Sequence, residues 1–337
     1  MGHLRKPVIF GCSGPALTPN ERAFFTAQQP AGFILFSRNI ETPAQLAVLI
    51  TELKATAKTG RPAVLIDQEG GRVRRLGPPH WPDFPPMASF GRQYGKSPAY
   101  ALAALRLNLA RIALELRRLG INVDCLPVLD LPVQGADEII GDRAFSKDPA
   151  VTAELGKATV EAMLEFGCLP VIKHIPGHGR APADSHQALP VVEASLAELA
   201  ATDFKPFAAC ASAPLAMTAH VAFLAIDGER PASLSQKIVS EIIRGHIGFE
   251  GLLISDDIGM GALDGDFGRR AAAVLGAGTD LVLHCGGDLE EMEAVADAVA
   301  DLDRQTARRL DAWLEEAEGR PLPEPQRLAD VLAGLEE

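Results

Sequence analysis

Residues 169 to 190, LPVIKHIPGHGRAPADSHQALP, gather more chemistry than stability requires. A short apolar run, Leu169 to Ile172, reads as a buried strand, and Lys173 and His174 stand where it would end. Pro176, Gly177 and Gly179 then break regular structure, and a polar loop follows with Asp184, Ser185 and His186. One strand end and one loop thus carry a lysine, three histidines and an aspartate. Asp184 lies two residues before His186, so in extended chain both side chains point to the same side. The carboxylate can orient the ring and stabilise its imidazolium, which suits a proton-transfer group.

Other titratable residues fall at the ends of apolar runs. Asp67 closes one within IDQEGGRVRR, Asp130 another, His220 a third, Asp256-Asp257 a fourth, and His284 the last. Arg143 sits in the loop beyond Asp130. Charged groups directed into an apolar mouth cost free energy unless they are paired or used. A carboxylate on a rigid strand end suits a nucleophile. A nucleophilic carboxylate with an acid/base group is the outline of a retaining glycosidase, in which Arg, Lys and Asp would hold sugar hydroxyls.

Plainer readings exist for each residue. Asp67 could cap the Gly70-Gly71 turn, and Arg143 could pair with Asp142 or Asp148. Lys173 and His174 could form a structural network, and His220 and His284 could be satisfied rim histidines. Of Asp256 and Asp257, one would face the mouth and the other cap the turn at Gly259.

The elements that must position these groups are legible in the hydrophobic pattern. Eight almost wholly apolar runs read as strands covered on both faces: Val8–Cys12, Gly32–Phe36, Ala63–Asp67, Asn122–Val128, Leu169–His174, Leu215–Val221, Leu252–Asp256 and Asp280–Cys285. Amphipathic segments separate them. Over 98–119, Leu102, Leu105, Leu109, Ile112, Leu116 and Leu119 recur at spacings of three and four, and Gly120 supplies the stop. Thr18-Pro19 with Glu21, and Thr42-Pro43 with Gln45, have the N-cap, proline and capping-box partner of helix starts. Asp148-Pro149 repeats the cap, and Ser195 with Glu198 and Ser233 with Gln236 fit the box.

Eight β–α alternations predict an α/β fold, a single (β/α)8 TIM barrel. A doubly wound open sheet is the alternative, weakened because no GxGxxG follows the first strand. Proline-rich residues 77 to 96 read as a long loop. The chain, 1–337, reads as one domain, with terminal helices from about 303 packing outside the barrel.

Composition fits a soluble enzyme, with 47% hydrophobic and 23% charged residues. A formal net charge of −12 argues against nucleic acid or anionic membrane as a partner. Five scattered cysteines without a CxxC pair suit a reducing compartment. The N-terminal stretch lacks a signal-peptide core, and no apolar run reaches the roughly 18–20 residues that span a bilayer. These features predict a cytoplasmic protein; separately, a monomer acting on a small substrate is expected.

ILFSRNI (34–40), IDQEGGRVRRL (66–76), KHIPGHG and DSH within 173–190, MTAHV (217–221) and ISDDIGM (254–260) together resemble glycoside hydrolase family 3, in its single-domain bacterial β-N-acetylhexosaminidase branch. The resemblance runs from the first strand to the eighth. It implies a barrel that removes non-reducing terminal β-linked N-acetylglucosamine with retention, without metal or cofactor. It further implies Asp256 as nucleophile, His186 as acid/base, Asp184 as its partner, and Asp67, Arg75, Arg143, Lys173 and His174 as sugar-binding residues. The substrate it implies is N-acetylglucosaminyl-1,6-anhydro-N-acetylmuramic acid, with or without peptide, in cell-wall recycling. Ile175 departs from the family pattern as a core-type swap of little consequence, residues 180–183 depart in a way that bears on loop closure, and with Gly259 and His284-Cys285 these departures bear on aglycone preference. Phosphorolysis within the same family is the close alternative, and a metal-dependent barrel hydrolase a more distant one.

Overall fold

The structure is a computed structural model that describes residues 5–58, 60–183, 185 and 188–333. Its strands are β1 (Lys6–Phe10), β2 (Pro30–Leu35), β3 (Ala63–Ile66), β4 (Val123–Asp124), β5 (Leu169–Ile175), β6 (Val191–Val192), β7 (Leu215–Thr218), β8 (Ala222–Phe223), β9 (Asp227–Pro231), β10 (Leu252–Asp257) and β11 (Leu281–His284). Eight of them close a barrel in the order β1-β11-β10-β7-β5-β4-β3-β2, and every pairing around it is parallel. This is the expected (β/α)8 barrel.

The period of two along a strand decides what fills the barrel. Ala63 and Leu65, Leu169 and Val171, Leu252 and Ile254, and Leu281 and Leu283 belong to one interior cluster. The intervening Val64, Ile66 and Val282 pack outward under the helices. Continued one step, the inward columns reach Asp67, Lys173, Asp256 and Cys285, all of which line the cavity at the barrel's C-terminal mouth.

The helices begin where the sequence places them. Thr18 and Thr42 each form a capping box before Pro19–Gln28 and Pro43–Ala55. Asp148 caps Pro149–Glu165, and Ser195 accepts from the Glu198 amide. The helix expected over 98–119 spans Pro98–Leu119, with Gly120 left-handed at its end.

Three local expectations change. The fourth strand is short: Leu126 N–H turns back to the Asp124 carbonyl, and Pro127 has no N–H to give a ladder. Ser233 does not cap a helix. Its hydroxyl meets His220 Nδ1, and Ser235 Oγ instead accepts from the Ile238 amide. Residues 77–96 are loop only in their first half, since Ala88–Tyr94 is helical.

The C-terminal helix Arg304–Gly319 lies against the lower mouth. Leu310, Leu314 and Ala317 share the interior cluster with Ala63, Leu169, Leu215 and Leu252. Arg5, just before β1, pairs with Asp311 of this helix at 2.7 Å. Pro325–Ala333 runs beside Pro98–Leu119.

At the upper mouth, β6, β8 and β9 form a small side sheet. It arises from the loops after β5 and β7, and Ala222 N–H donates to the Pro190 carbonyl at 2.9 Å. The sheet therefore pins the returning end of the 176–190 loop.

Candidate active site

Five charged side chains form an alternating row across the mouth. Arg75 donates to Asp67 Oδ2 at 2.8 Å, and Lys173 Nζ donates to Asp67 Oδ1 at 2.8 Å. Lys173 also reaches Glu69 Oε1 at 2.6 Å. Arg143 closes the row on Glu69 with two parallel bonds of 2.9 Å from Nε and Nη2. Three cations thus meet two anions, leaving one positive charge to be met by the surroundings.

Burial opposes ionisation of Asp67, but Lys173 and Arg75 outweigh it and hold the carboxyl well below its ordinary range. Burial likewise opposes Glu69, and Arg143 and Lys173 keep it ionised. Lys173 is pulled the other way by its burial, yet Asp67 and Glu69 raise it. The row is a fixed set of charges, in which each side chain is held by the next.

Asp130 organises the two histidines of the KHIPGH stretch. It is fully buried, and its Oδ2 sits 2.7 Å from His174 Nδ1. Its oxygens also accept from the His174 amide and, at 2.6 Å, from the His178 amide. His174 lines the cavity, and with Nδ1 engaged Nε2 is its remaining polar atom. Register between β5 and β7 shifts between Lys173 and Ile175. Such an irregularity re-aims side chains, and here consecutive residues Lys173 and His174 both line the cavity.

Asp256 ends the inward column of β10. Its Oδ1 accepts the Asp257 amide at 2.8 Å. Burial would raise its pKa, but the His174 and His220 rings outweigh that and lower it. Asp257 does the other job expected of the pair, accepting from the Gly259 and Cys285 amides at 3.0 Å each. His220 is a satisfied rim residue between Ser233 Oγ and the Asp257 carbonyl. His284 points outward between the rings of Phe10 and Phe267 and meets Glu291 at 3.1 Å.

The cavity these groups share measures about 210 Å³. Asp67, Arg75, Arg143, Lys173, His174 and Asp256 all line it, together with Asp257 and Cys285. Phe36, Met217 and Met260 add apolar wall, and Arg75 lies over the Phe36 ring at 5.2 Å. Asp184 and His186 lie outside the described residues.

The plainer readings of Asp67 and Arg143 do not hold. Asp67 serves Lys173 and Arg75 rather than a turn, and Arg143 pairs with Glu69 while Arg72 takes Asp142. Glu69 and Asp130 are the two supports that motif reading did not single out as site residues.

A (β/α)8 barrel whose mouth gathers an ionised carboxylate and a ring of charged and polar side chains has the layout of a barrel glycosidase. The family model "Glycosyl hydrolase family 3 N terminal domain" matches residues 6–315. A β-hexosaminidase of Thioalkalivibrio sulfidiphilus is 40% identical over 299 residues, covering 88% of this chain and 84% of that one. One from Thiobacillus denitrificans is 36% identical over 327 residues, covering 96% and 89%. NagZ of Neisseria gonorrhoeae superposes with a TM-score of 0.84 at 31% identity in its complex with N-trifluoroacetyl-D-glucosamine, covering 98% of this chain and 94% of that one. The chain belongs to glycosyl hydrolase family 3 and is a glycosidase. No helix among the described residues is long and apolar enough to cross a membrane.

Proposed function

We propose that this enzyme is a retaining exo-β-N-acetylglucosaminidase that removes non-reducing terminal β-linked N-acetylglucosamine. The observation that carries the reading is Asp256: an anionic carboxylate at a rigid strand end, facing a cavity of about 210 Å³ rimmed by Asp67, Arg75, Arg143, Lys173 and His174. A cavity of that size suits one terminal sugar ring, and the row of charges offers donors and acceptors for its hydroxyls.

In the first step Asp256 attacks the anomeric carbon while His186, protonated, gives its proton to the departing oxygen. Asp184 stabilises the imidazolium. In the second step neutral His186 takes a proton from water, which attacks the glycosyl-enzyme and releases the sugar with retained configuration. Bidentate pairing keeps Arg143 fixed and Asp130 keeps His174 fixed, so little reorganisation accompanies charge development at the ring. Muropeptides carrying N-acetylglucosaminyl-1,6-anhydro-N-acetylmuramic acid, with or without peptide, are the substrates this reading favours, in cytoplasmic peptidoglycan recycling by a monomer. It rests on the sequence resemblance and on the β-hexosaminidase relatives.

The test is turnover of an aryl β-N-acetylglucosaminide against the matching β-glucoside, with trapping of the covalent intermediate. The glucosaminide should be strongly preferred and the label should fall on Asp256. Asp256→Ala retaining full turnover would sink the assignment. The same assay in phosphate buffer separates the alternative, since sugar 1-phosphate as product would mean phosphorolysis.

A further inference from the structure

The 176–190 loop is well anchored at its root. Arg180 donates to Asp203 and Glu198 at 2.7 Å each, and Val133 N–H donates to the Gly179 carbonyl. Nearer its tip, one small residue makes two contacts. Ser185 is only 2% exposed. Its hydroxyl sits 3.0 Å from His178 Nε2. Its carbonyl accepts the Ala262 amide at 3.1 Å, in the segment that follows β10. Ser185 therefore ties the loop to the segment just after β5 through its side chain and to the segment just after β10 through its backbone.

The ring that receives the hydroxyl is itself fixed. His178 is buried, and its amide is locked on Asp130 at 2.6 Å. Burial, with the His174 ring next to it, pushes its pKa down to about 4, so the ring is neutral near pH 7. Nδ1 is buried with no hydrogen-bond partner among the described residues. Placing the one ring proton on Nε2 gives it an acceptor in Ser185 Oγ and leaves Nδ1 a bare lone pair. No catalytic step in the reading above uses His178 or Ser185.

We propose that His178 and Ser185 form a latch that positions the proton-delivering loop for the reaction, with Ser185 as its movable half and His178 as its fixed half. This inference rests on the assignment of His186 as acid/base. Ser185 lies between Asp184 and His186 in the chain. Consecutive Cα atoms are about 3.8 Å apart, so fixing Ser185 confines both neighbours. Both are positioning residues: they touch neither the sugar nor the reacting atoms.

The test compares the full-length enzyme with Ser185→Ala, His178→Asn and the double variant on two β-N-acetylglucosaminides. One carries a sugar leaving group, which needs a proton to depart, and the other 2,4-dinitrophenol, which does not. Ser185→Ala should lower kcat/KM about tenfold on the first, the worth of one good hydrogen bond. On the second, kcat/KM should stay within about twofold, because only the protonated transition state loses support. The double variant should fall no further than the weaker single one, since one bond is shared. Equal losses on both substrates, no loss on either, or additive losses would overturn the latch. His186→Ala run alongside separates the two ideas. If it discriminates between the leaving groups and Ser185→Ala does not, only the latch fails. If His186→Ala shows no discrimination, the acid/base assignment fails and the latch with it.

Discussion

Glu69 touches no proposed reacting atom, yet it holds two of the residues proposed to bind sugar. It is almost fully buried and takes Arg143 with two bonds and Lys173 with a third. Glu69→Gln keeps the shape and removes the charge, leaving two buried cations facing each other across a neutral amide. Loss of one partner in a buried ion pair costs about 3 kcal/mol or more. KM should rise several-fold, because Arg143 and Lys173 lose their fixed positions, and steady-state kinetics on an aryl glucosaminide would read this. The same variant has a pH signature. Arg143 and Lys173 depress the folded pKa of Glu69 against its burial. The unfolded state therefore binds the proton first as pH falls below about 4.3, and the stability Glu69 provides is present above that value and lost beneath it. Glu69→Gln should be less stable at pH 7 and show a shallower loss on acidification, measured as urea midpoints from pH 7 to pH 3. Sequence could not announce this role. Glu69 reads as part of a DQEGG turn, and its partner Arg143 is 74 residues away. Nothing local pairs them, whereas Lys173, His174 and Asp256 stood out because they end apolar strands.

Strands and loops divide the work of the site differently. Inward columns such as Ala63-Leu65-Asp67 and Leu252-Ile254-Asp256 aim their last members into the cavity by the two-residue period alone. The period was only partly legible: the strand ends left Asp256 and Asp257 open, and His284 was marked at the last strand end where Cys285 is the residue that lines the cavity. Two further features were not legible. The irregularity at Lys173–Ile175, which turns two consecutive residues inward, depends on the neighbouring strand. The side sheet of β6, β8 and β9 joins short pieces that carry no strand signal of their own. The loop after β5 depends on a close backbone approach at Gly179. A Cβ there would lie 2.1 Å from the Leu131 carbonyl oxygen and 2.7 Å from the Leu131 nitrogen. Backbone atoms on a buried segment cannot step aside as a side-chain tip can. Gly179→Ala should displace the root of the loop and lower kcat/KM on a sugar leaving group by tenfold or more, roughly the loss expected when a positioned proton donor moves. Far-UV circular dichroism should stay unchanged, since the barrel strands do not pass through this contact.

The whole molecule separates its two mouths. Chemistry is gathered at the C-terminal ends of the strands, as barrels arrange it. At the opposite end the helix Arg304–Gly319 acts as a plug, with Leu310, Leu314 and Ala317 inserted among the first inward residues of the strands. The sequence marks this segment only as the start of terminal helices, from about 303, expected to pack outside the barrel. Which surface takes its apolar stripe is settled by the barrel, which offers the open ring of Ala63, Leu169, Leu215, Leu252 and Leu281. Leu314 is fully buried in that ring. Leu314→Ala removes three side-chain carbons and leaves a space that rigid strands cannot close, which costs about 2–5 kcal/mol. The site lies at the other end of the barrel, held by its own hydrogen bonds and ion pairs rather than by the plug. Urea unfolding should therefore show a lower midpoint at unchanged slope, while kcat and KM measured in buffer stay at their wild-type values. A shift in KM that tracks the loss of stability would mean that the plug sets the spacing of the upper strand ends, and that the two mouths are mechanically one.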